Sequence, residues 1–204
     1  MIENIIFDLG DVFIDLEHKR FQEELHYLGL KDVTSNMTGF NQLYEKGLIS
    51  TDEFKNYYKD VLKSKGFSDE LLVKSWVSIL GDFPLHRLEF LENISKKYRL
   101  FLLSNTNEMH VNFVEKHYGS DFYNRFAYCF ERIYYSHQIH LRKPDTEPFE
   151  LIIQENDLLA ASTLFIDDTL ENIITANQLG LKTWHIDPAK EDVSELFEIK
   201  NELF

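Results

Sequence analysis

Apolar residues follow two rhythms along the chain. Continuous short runs at residues 2–7, 100–103, 126–135, 164–166 and 183–186 read as strands. Residues 87–97, 108–117, 148–154 and 170–179 instead repeat apolar positions every three to four residues, the period of a helix with one buried face. Gly180 follows the last of these and suits a helix stop. The alternation of strand and helix predicts an α/β fold, a parallel sheet with helices on both faces.

Residues 16–84 break that alternation and carry almost no strand pattern. Phe21, Leu25 and Leu28 fall on one helical face. Ser50-Thr51-Asp52-Glu53 spells a capping box ahead of Phe54, Tyr57, Tyr58 and Val61. Ser68 opens a third helical stretch with Leu71, Leu72 and Trp76. The expected organisation is a core made of residues 1–15 and 85–204, with residues 16–84 inserted after the first strand as a helical cap over the sheet edge.

Charge restricts the partners. With 21 Lys and Arg against 35 Asp and Glu, the 204-residue chain carries a net charge of −14. Such a body repels nucleic acid and anionic membranes, and neither is expected as a partner. Local cations or a metal could still admit a small anion. No apolar run reaches the roughly 18 residues of a membrane helix. Glu3, Asp8 and Asp11 argue against reading the first segment as a signal or anchor. The single Cys129 excludes an internal disulfide and a thiolate metal cluster, so a reducing cytoplasm is the expected location. Nothing in the pattern specifies an oligomeric state.

The chemistry concentrates at strand ends, where open parallel sheets bind their ligands. Strand one ends in Asp8-Leu9-Gly10-Asp11, another in Ser104-Asn105-Thr106 and a third in Asp167-Asp168, with Arg142-Lys143-Pro144-Asp145 between the last two. A carboxylate such as Asp8 can attack phosphorus and split one displacement into two. Asp8 and Asp168 can hold Mg²⁺, with Asp167 assisting from beside them. Ser104 and nearby backbone N–H groups can bind phosphoryl oxygens, and Lys143 supplies a point charge. Asn172, one helical turn past Asp168, could orient a carboxylate or a metal-bound water. Other candidates read more plainly: Asp11 as a turn residue or helix-entry cap, Asp15 as the start of the cap linker. His110 and His117, and His137 and His140, have spacings that zinc sites sometimes use, without a dense Cys/His cluster. Cys129 reads as a buried inert thiol, and Trp76, Tyr57 and Tyr58 mostly as core.

The segments FDLGDVFID, LLSNTNEMH, LRKPD and FIDDTLENIITANQLG, in that order, resemble the four motifs of the haloacid dehalogenase (HAD) superfamily. The resemblance implies a Rossmann-like core, with residues 16–84 in the place of a C1-type helical cap. The spellings are similar to those of bacterial α-D-glucose-1-phosphate phosphatase-like proteins. It therefore implies Mg²⁺ as cofactor, a small phosphorylated metabolite as substrate, and a cytoplasmic location. By motif, Asp8 is the nucleophile and a metal ligand, Ser104 and Asn105 bind phosphate, Lys143 balances charge and Asp168 holds the metal.

One position departs from the pattern. Phosphatases of the superfamily usually carry an acid two residues after the nucleophile, and here that residue is Gly10. Its carbonyl can still ligate a metal, but it has no side chain to move protons. Losing general acid–base help costs about 10²–10⁴ in rate, roughly 3–5 kcal/mol. A sugar 1-phosphate, with a leaving group of low pKa, would need that acid least. The expectation is a Mg²⁺-dependent phosphatase working through an aspartyl phosphate on Asp8, with a sugar phosphate such as glucose 1-phosphate as substrate. The alternatives are a non-catalytic phosphometabolite-binding or regulatory protein, motivated by Gly10, and, further off, a haloacid dehalogenase. The dehalogenase would leave Asp167-Asp168 as an uncompensated acidic pair.

Overall fold

The computed structural model describes residues 1–30, 34–62 and 68–204. In chain order it runs β1 (Asn4–Phe7), α1 (His18–Leu28), α2 (Ser35–Glu45), α3 (Thr51–Val61), α4 (Asp69–Val77), α5 (Leu85–Ile94) and β2 (Arg99–Ser104). It continues with α6 (Glu108–Tyr118), α7 (Ser120–Tyr128), β3 (Arg132–Tyr135), α8 (Ser136–Ile139) and α9 (Glu147–Glu155). β4 (Thr163–Asp167), α10 (Leu170–Gln178), β5 (Lys182–His185) and α11 (Leu196–Ile199) complete it.

The five strands form one parallel sheet in the order β3-β2-β1-β4-β5. Their alternation feeds two cores. Ile5, Phe7, Leu100, Leu102, Leu164 and Ile166 enter the cluster on one face. Ile6, Phe101, Leu103 and Phe165 enter the cluster on the other. Burial on both faces is why these strands are almost wholly apolar rather than alternating with polar residues. Phe7 is level with Leu102 on one side and Ile166 on the other, so Asp8, Ser104 and Asp167 emerge along one carboxyl edge. The chain runs outward from β1 through β2 to β3, then crosses back to β4. That reversal makes the edge beside β1 a topological switch point, where such sheets bind ligands.

The segment 126–135 departs from the expected strand. Residues 120–128 form α7, and β3 is only Arg132–Tyr135. Phe122, Phe126 and Phe130 are spaced four apart and pack inward, with ring centroids 5.0 Å apart for Phe83–Phe122, 5.6 Å for Phe13–Phe126 and 5.0 Å for Phe126–Phe130. A helical stripe of aromatics looks like a strand when aromatic density is read before period. Cys129 is therefore the C-terminal cap of α7 rather than a strand residue, and burial raises its thiol pKa.

Residues 18–77 hold four helices, one more than the three stretches expected. The extra one is α2, whose SNMTGFNQLYE combines Gly39, Asn36 and Asn41 with few strong helix formers. Thr34, Ser50 and Ser68 cap α2, α3 and α4 with their side chains, and Ser50 with Glu53 makes the expected capping box. Leu25, Leu28, Tyr44, Phe54, Tyr58, Leu72 and Trp76 share a cluster joined from below by Met109 of α6. Phe54 lies at its centre, 4.2 Å from Tyr44 and 4.7 Å from Trp76 between ring centroids.

The chain enters and leaves these helices side by side. Asp15 N–H donates to Asp82 O at 2.9 Å, Glu17 N–H to Ile79 O at 2.7 Å and Gly81 N–H to Asp15 O at 2.8 Å. A Cβ on Gly81 would sit 2.8 Å from that same carbonyl, which is why only glycine fits there. Among the described residues no helix is long and apolar enough to cross a membrane.

Candidate active site

The carboxyl edge holds a cavity of about 270 Å³ lined by the loop after β1, the end of β2 and the loop after it, the loop after α8, the start of α10 and the helices above the sheet. Asp8, Gly10, Ser104, Asn105, Lys143, Asp168 and Asn172, all expected from the sequence, line it together. A wider cleft of about 810 Å³ opens around Met1, Asn4, Lys97 and Arg99, at the opposite ends of the strands, away from this cluster.

Lys143 organises the floor. Its side chain is 1% exposed, and its Nζ donates to Asp8 Oδ1 at 2.7 Å and Asp167 Oδ2 at 2.6 Å. Burial opposes its charge, but Asp167 and Asp8 outweigh burial and raise its pKa. Lys143 is positioned by Asn105, whose Oδ1 accepts from the Lys143 N–H at 2.9 Å and whose Nδ2 donates to the Lys143 carbonyl at 2.8 Å. One Nδ2 N–H and the Oδ1 of Asn105 thus tie the Lys143 backbone, and the residue also lines the cavity. Ser104, 3% exposed at the end of β2, remains on the cavity wall.

The two adjacent aspartates divide in the same way. Asp167 is fully buried. Its Oδ1 accepts from Thr169 N–H at 2.8 Å and Asn172 Nδ2 at 3.0 Å, and its Oδ2 accepts from Lys143 and, at 3.0 Å, from Asn172. Those contacts nearly exhaust the four lone-pair sites of a carboxylate. Asp168, by contrast, lines the cavity. Asn172 thus orients a carboxylate, and that carboxylate is Asp167.

Charge in this edge is unbalanced. Asp8, Asp167 and Asp168 each place an oxygen within 4.8 Å of the others. Three carboxylates against one ammonium leave a formal charge of −3 + 1 = −2. Burial, with Asp167 and Asp168 nearby, pushes the Asp8 carboxyl up to about 7 despite Lys143. Burial, with Asp167 and Asp11 nearby, pushes Asp168 up to about 6. Hard carboxylate oxygens converging with an excess of two negative charges fit a divalent cation of the Mg²⁺ type.

Residue 10 is glycine where a side chain would meet the neighbouring loop. A Cβ there would lie 3.0 Å from Leu16 Cδ1. Asp11 takes a left-handed backbone, φ 52°, and its Oδ1 caps the Leu16 N–H at 2.8 Å. Asp15 pairs with Arg87 at 2.6 Å. Both are structural in this loop.

Sequence reasoning missed the upper wall. His18 at the start of α1, Glu45 at the end of α2 and His110 of α6 line the same cavity. Glu45 Oε2 accepts from Arg142 Nε at 3.1 Å, and Arg142 Nη2 lies 3.1 Å from the same oxygen. Burial raises the Glu45 pKa, and Arg142 opposes that. Burial pushes the His110 imidazole down to about 4, and its Nε2 lies 3.3 Å from the Trp76 carbonyl. His110 was legible only as part of a zinc-like spacing, and among the described residues the one cluster able to hold a metal contains no histidine. Glu45 carried no signal, since the helix that presents it was itself missed.

Known proteins share this chain's sequence and fold over nearly its whole length. The chain is 30% identical over 207 residues to a D-ribitol-5-phosphate phosphatase of Bacteroides thetaiotaomicron, covering 98% of this chain and 100% of that one. A HAD family enzyme of B. thetaiotaomicron, in complex with magnesium and inorganic phosphate, superposes with a TM-score of 0.81 at 32% identity, covering 97% of this chain and 100% of that one. A HAD-like family hydrolase of Porphyromonas gingivalis superposes with a TM-score of 0.87 at 26% identity, covering 100% of this chain and 98% of that one. Residues 5–186 match the haloacid dehalogenase-like hydrolase family, from the first residues of β1 past the end of β5. The chain belongs to the haloacid dehalogenase-like hydrolases.

Proposed function

We propose that the protein is a Mg²⁺-dependent phosphatase of small phosphorylated sugars or polyols, with Asp8 as nucleophile. The observation that carries this is the triad of Asp8, Lys143 and Asp167, with Asp168 beside it, at the switch point of the sheet. The phosphatase relative supports the reaction class, and its polyol phosphate substrate supports the substrate class.

Lys143 holds one oxygen of Asp8 and leaves the other for attack. Asp8, Asp168 and the Gly10 carbonyl would hold the cation, which supplies charge neutralisation between carboxylate and phosphate. Asp167 keeps Lys143 in place. Asp8 forms a bond to phosphorus as the ester P–O bond breaks, and the leaving oxygen departs with the bonding pair and takes a proton from solvent. Ser104 donates to the phosphoryl oxygens. Water then attacks phosphorus, releasing inorganic phosphate and restoring Asp8. Gly10 offers no proton, so turnover is slower than with a side-chain acid and favours good leaving groups. The core is assigned to residues 1–15 and 85–204, and residues 16–84 to a cap that closes over the cavity.

The test is phosphate release from D-ribitol 5-phosphate, α-glucose 1-phosphate and p-nitrophenyl phosphate, with Mg²⁺ and with EDTA. Release that requires Mg²⁺ is the expected result. Release unaffected by EDTA would overturn the reading.

A further inference from the structure

We propose that Glu45 selects the substrate, accepting a hydrogen bond from a hydroxyl of a polyhydroxylated phosphate ester and rejecting esters that carry a carboxylate. The proposal rests on the phosphatase reading and specifies its substrate class.

Glu45 ends α2 with its side chain 30% exposed, and it lines the same cavity as Asp8. Both Arg142 nitrogens bind Oε2, so that ion pair makes no use of Oε1. The residue is held firmly. Next to it, Lys46 Nζ lies 3.2 Å from Asp145 Oδ2, and the Lys46 carbonyl is 2.8 Å from His140 Nδ1. Gly47 then passes so close to the core that a Cβ there would sit 2.0 Å from the His137 carbonyl oxygen. Four consecutive anchors on one turn fix the carboxylate relative to the sheet edge, as a discriminating group requires.

The chemistry follows from what else faces the cavity. An ionised carboxylate only accepts hydrogen bonds, and a hydroxyl is a donor it can take. Among the described residues lining the cavity, Lys143 is the only lysine or arginine, and it is committed to Asp8 and Asp167. Arg142 pairs with Glu45 from outside the lining, so a substrate carboxylate would meet Glu45 with no uncommitted lysine or arginine in the cavity to receive it. Rejection by an unpaired like charge is a common device of specificity. Beside His18 and His110, the upper wall carries Ile14, Leu16, Ile79 and Leu80, which favour a short carbon chain.

The experiment compares kcat/KM for D-ribitol 5-phosphate, phosphoglycolate and p-nitrophenyl phosphate across the wild type, Glu45→Ala and Glu45→Gln, all with Mg²⁺. For Glu45→Ala the expected fall on ribitol 5-phosphate is about 10–100-fold, mostly in KM, because an acceptor of a substrate hydroxyl is removed. For p-nitrophenyl phosphate, which has no hydroxyl, the fall should stay under about threefold. For Glu45→Gln the expected fall on ribitol 5-phosphate is smaller, and phosphoglycolate turnover rises relative to it by about tenfold as the charge is lost. Should Glu45→Ala not fold, Glu45→Gln carries the test alone. An equal fall on all three esters would make Glu45 a structural latch and overturn the proposal, as would no change on any. Wild-type kcat/KM no higher for D-ribitol 5-phosphate than for ethyl phosphate, an alkyl ester without hydroxyls, would overturn it while leaving the phosphatase standing. No turnover of any ester would overturn both.

Discussion

The sheet edge and the helices above it are built on opposite principles. At the edge, polar groups hold one another: Asn105 fixes Lys143, Lys143 fixes Asp8 and Asp167, and Asn172 and Thr169 fix Asp167 from the other side. Each group has one geometry because its partners leave it no other. Above the edge, stability comes from aromatic packing around Phe54, Tyr58 and Trp76, which is tolerant of shape. That layer meets the core through the ribbon of residues 15–17 and 79–82 and a few charged contacts such as Glu45–Arg142. The contrast teaches a division of labour. Under the proposed function the edge would set the reaction and tolerate little change, whereas the helical layer would set which ester reaches it.

The largest effect should come from breaking the edge. Lys143→Met leaves Asp8 and Asp167 buried without their cation. Loss of one partner from a buried ion pair costs about 3–5 kcal/mol. Turnover should fall by about 10²-fold or more on every ester alike. Denaturation midpoints and phosphate release check both, and a substrate-dependent loss would blur the division drawn here.

A smaller effect follows from the charge left at the edge. Without metal, Asp8 titrates at about 7 and Asp168 at about 6, both above the ordinary 3.8. The folded state therefore holds protons that the unfolded chain has released, and this contribution to stability is lost as pH rises from about 4 to about 7. A divalent cation binds the ionised carboxylates and opposes that loss. The gain in Tm on adding Mg²⁺ should accordingly grow between about pH 5 and pH 8. His110, pushed down to about 4, gives a slope of opposite sign, but it is common to both conditions and cancels in the difference. A Mg²⁺ gain that is flat with pH would remove Asp8 and Asp168 from the cation site.

The smallest effect on chemistry should come from the other region. Phe54→Ala empties the centre of the aromatic cluster, at a cost of about 3–5 kcal/mol. Yet turnover of p-nitrophenyl phosphate by the folded fraction should stay within about threefold of the wild type, with KM for ribitol 5-phosphate rising more. A collapse of kcat on both esters would mean that the helical layer also shapes the edge.

This contrast also governs what could be read before the fold was known. The edge was legible because residues with distinct chemistry sit at the ends of apolar strands, where position follows from topology. What escaped were choices made by partners distant in sequence. Asn105 faces Lys143 across 38 residues, and nothing local says that its amide ties so distant a backbone. Asp167 and Asp168 are identical in kind, and only Lys143 and Asn172 decide which one is sealed beneath the cavity. The helical layer was less legible still. Helix α2 has a weak intrinsic signal, so Glu45 went unseen with it, and the α7 aromatics imitated a strand because their density hides a four-residue period.

The central claim is that phosphorus is transferred to Asp8. The direct test is to mix the protein with D-ribitol 5-phosphate and Mg²⁺, quench within the first turnover, reduce with borohydride and sequence the amino-terminal peptide by mass spectrometry. An acyl phosphate at residue 8 is reduced to homoserine, and that product, absent in Asp8→Asn together with phosphate release, is the predicted result. Phosphate release by Asp8→Asn at the wild-type rate, with residue 8 of the wild type unmodified, would contradict the account.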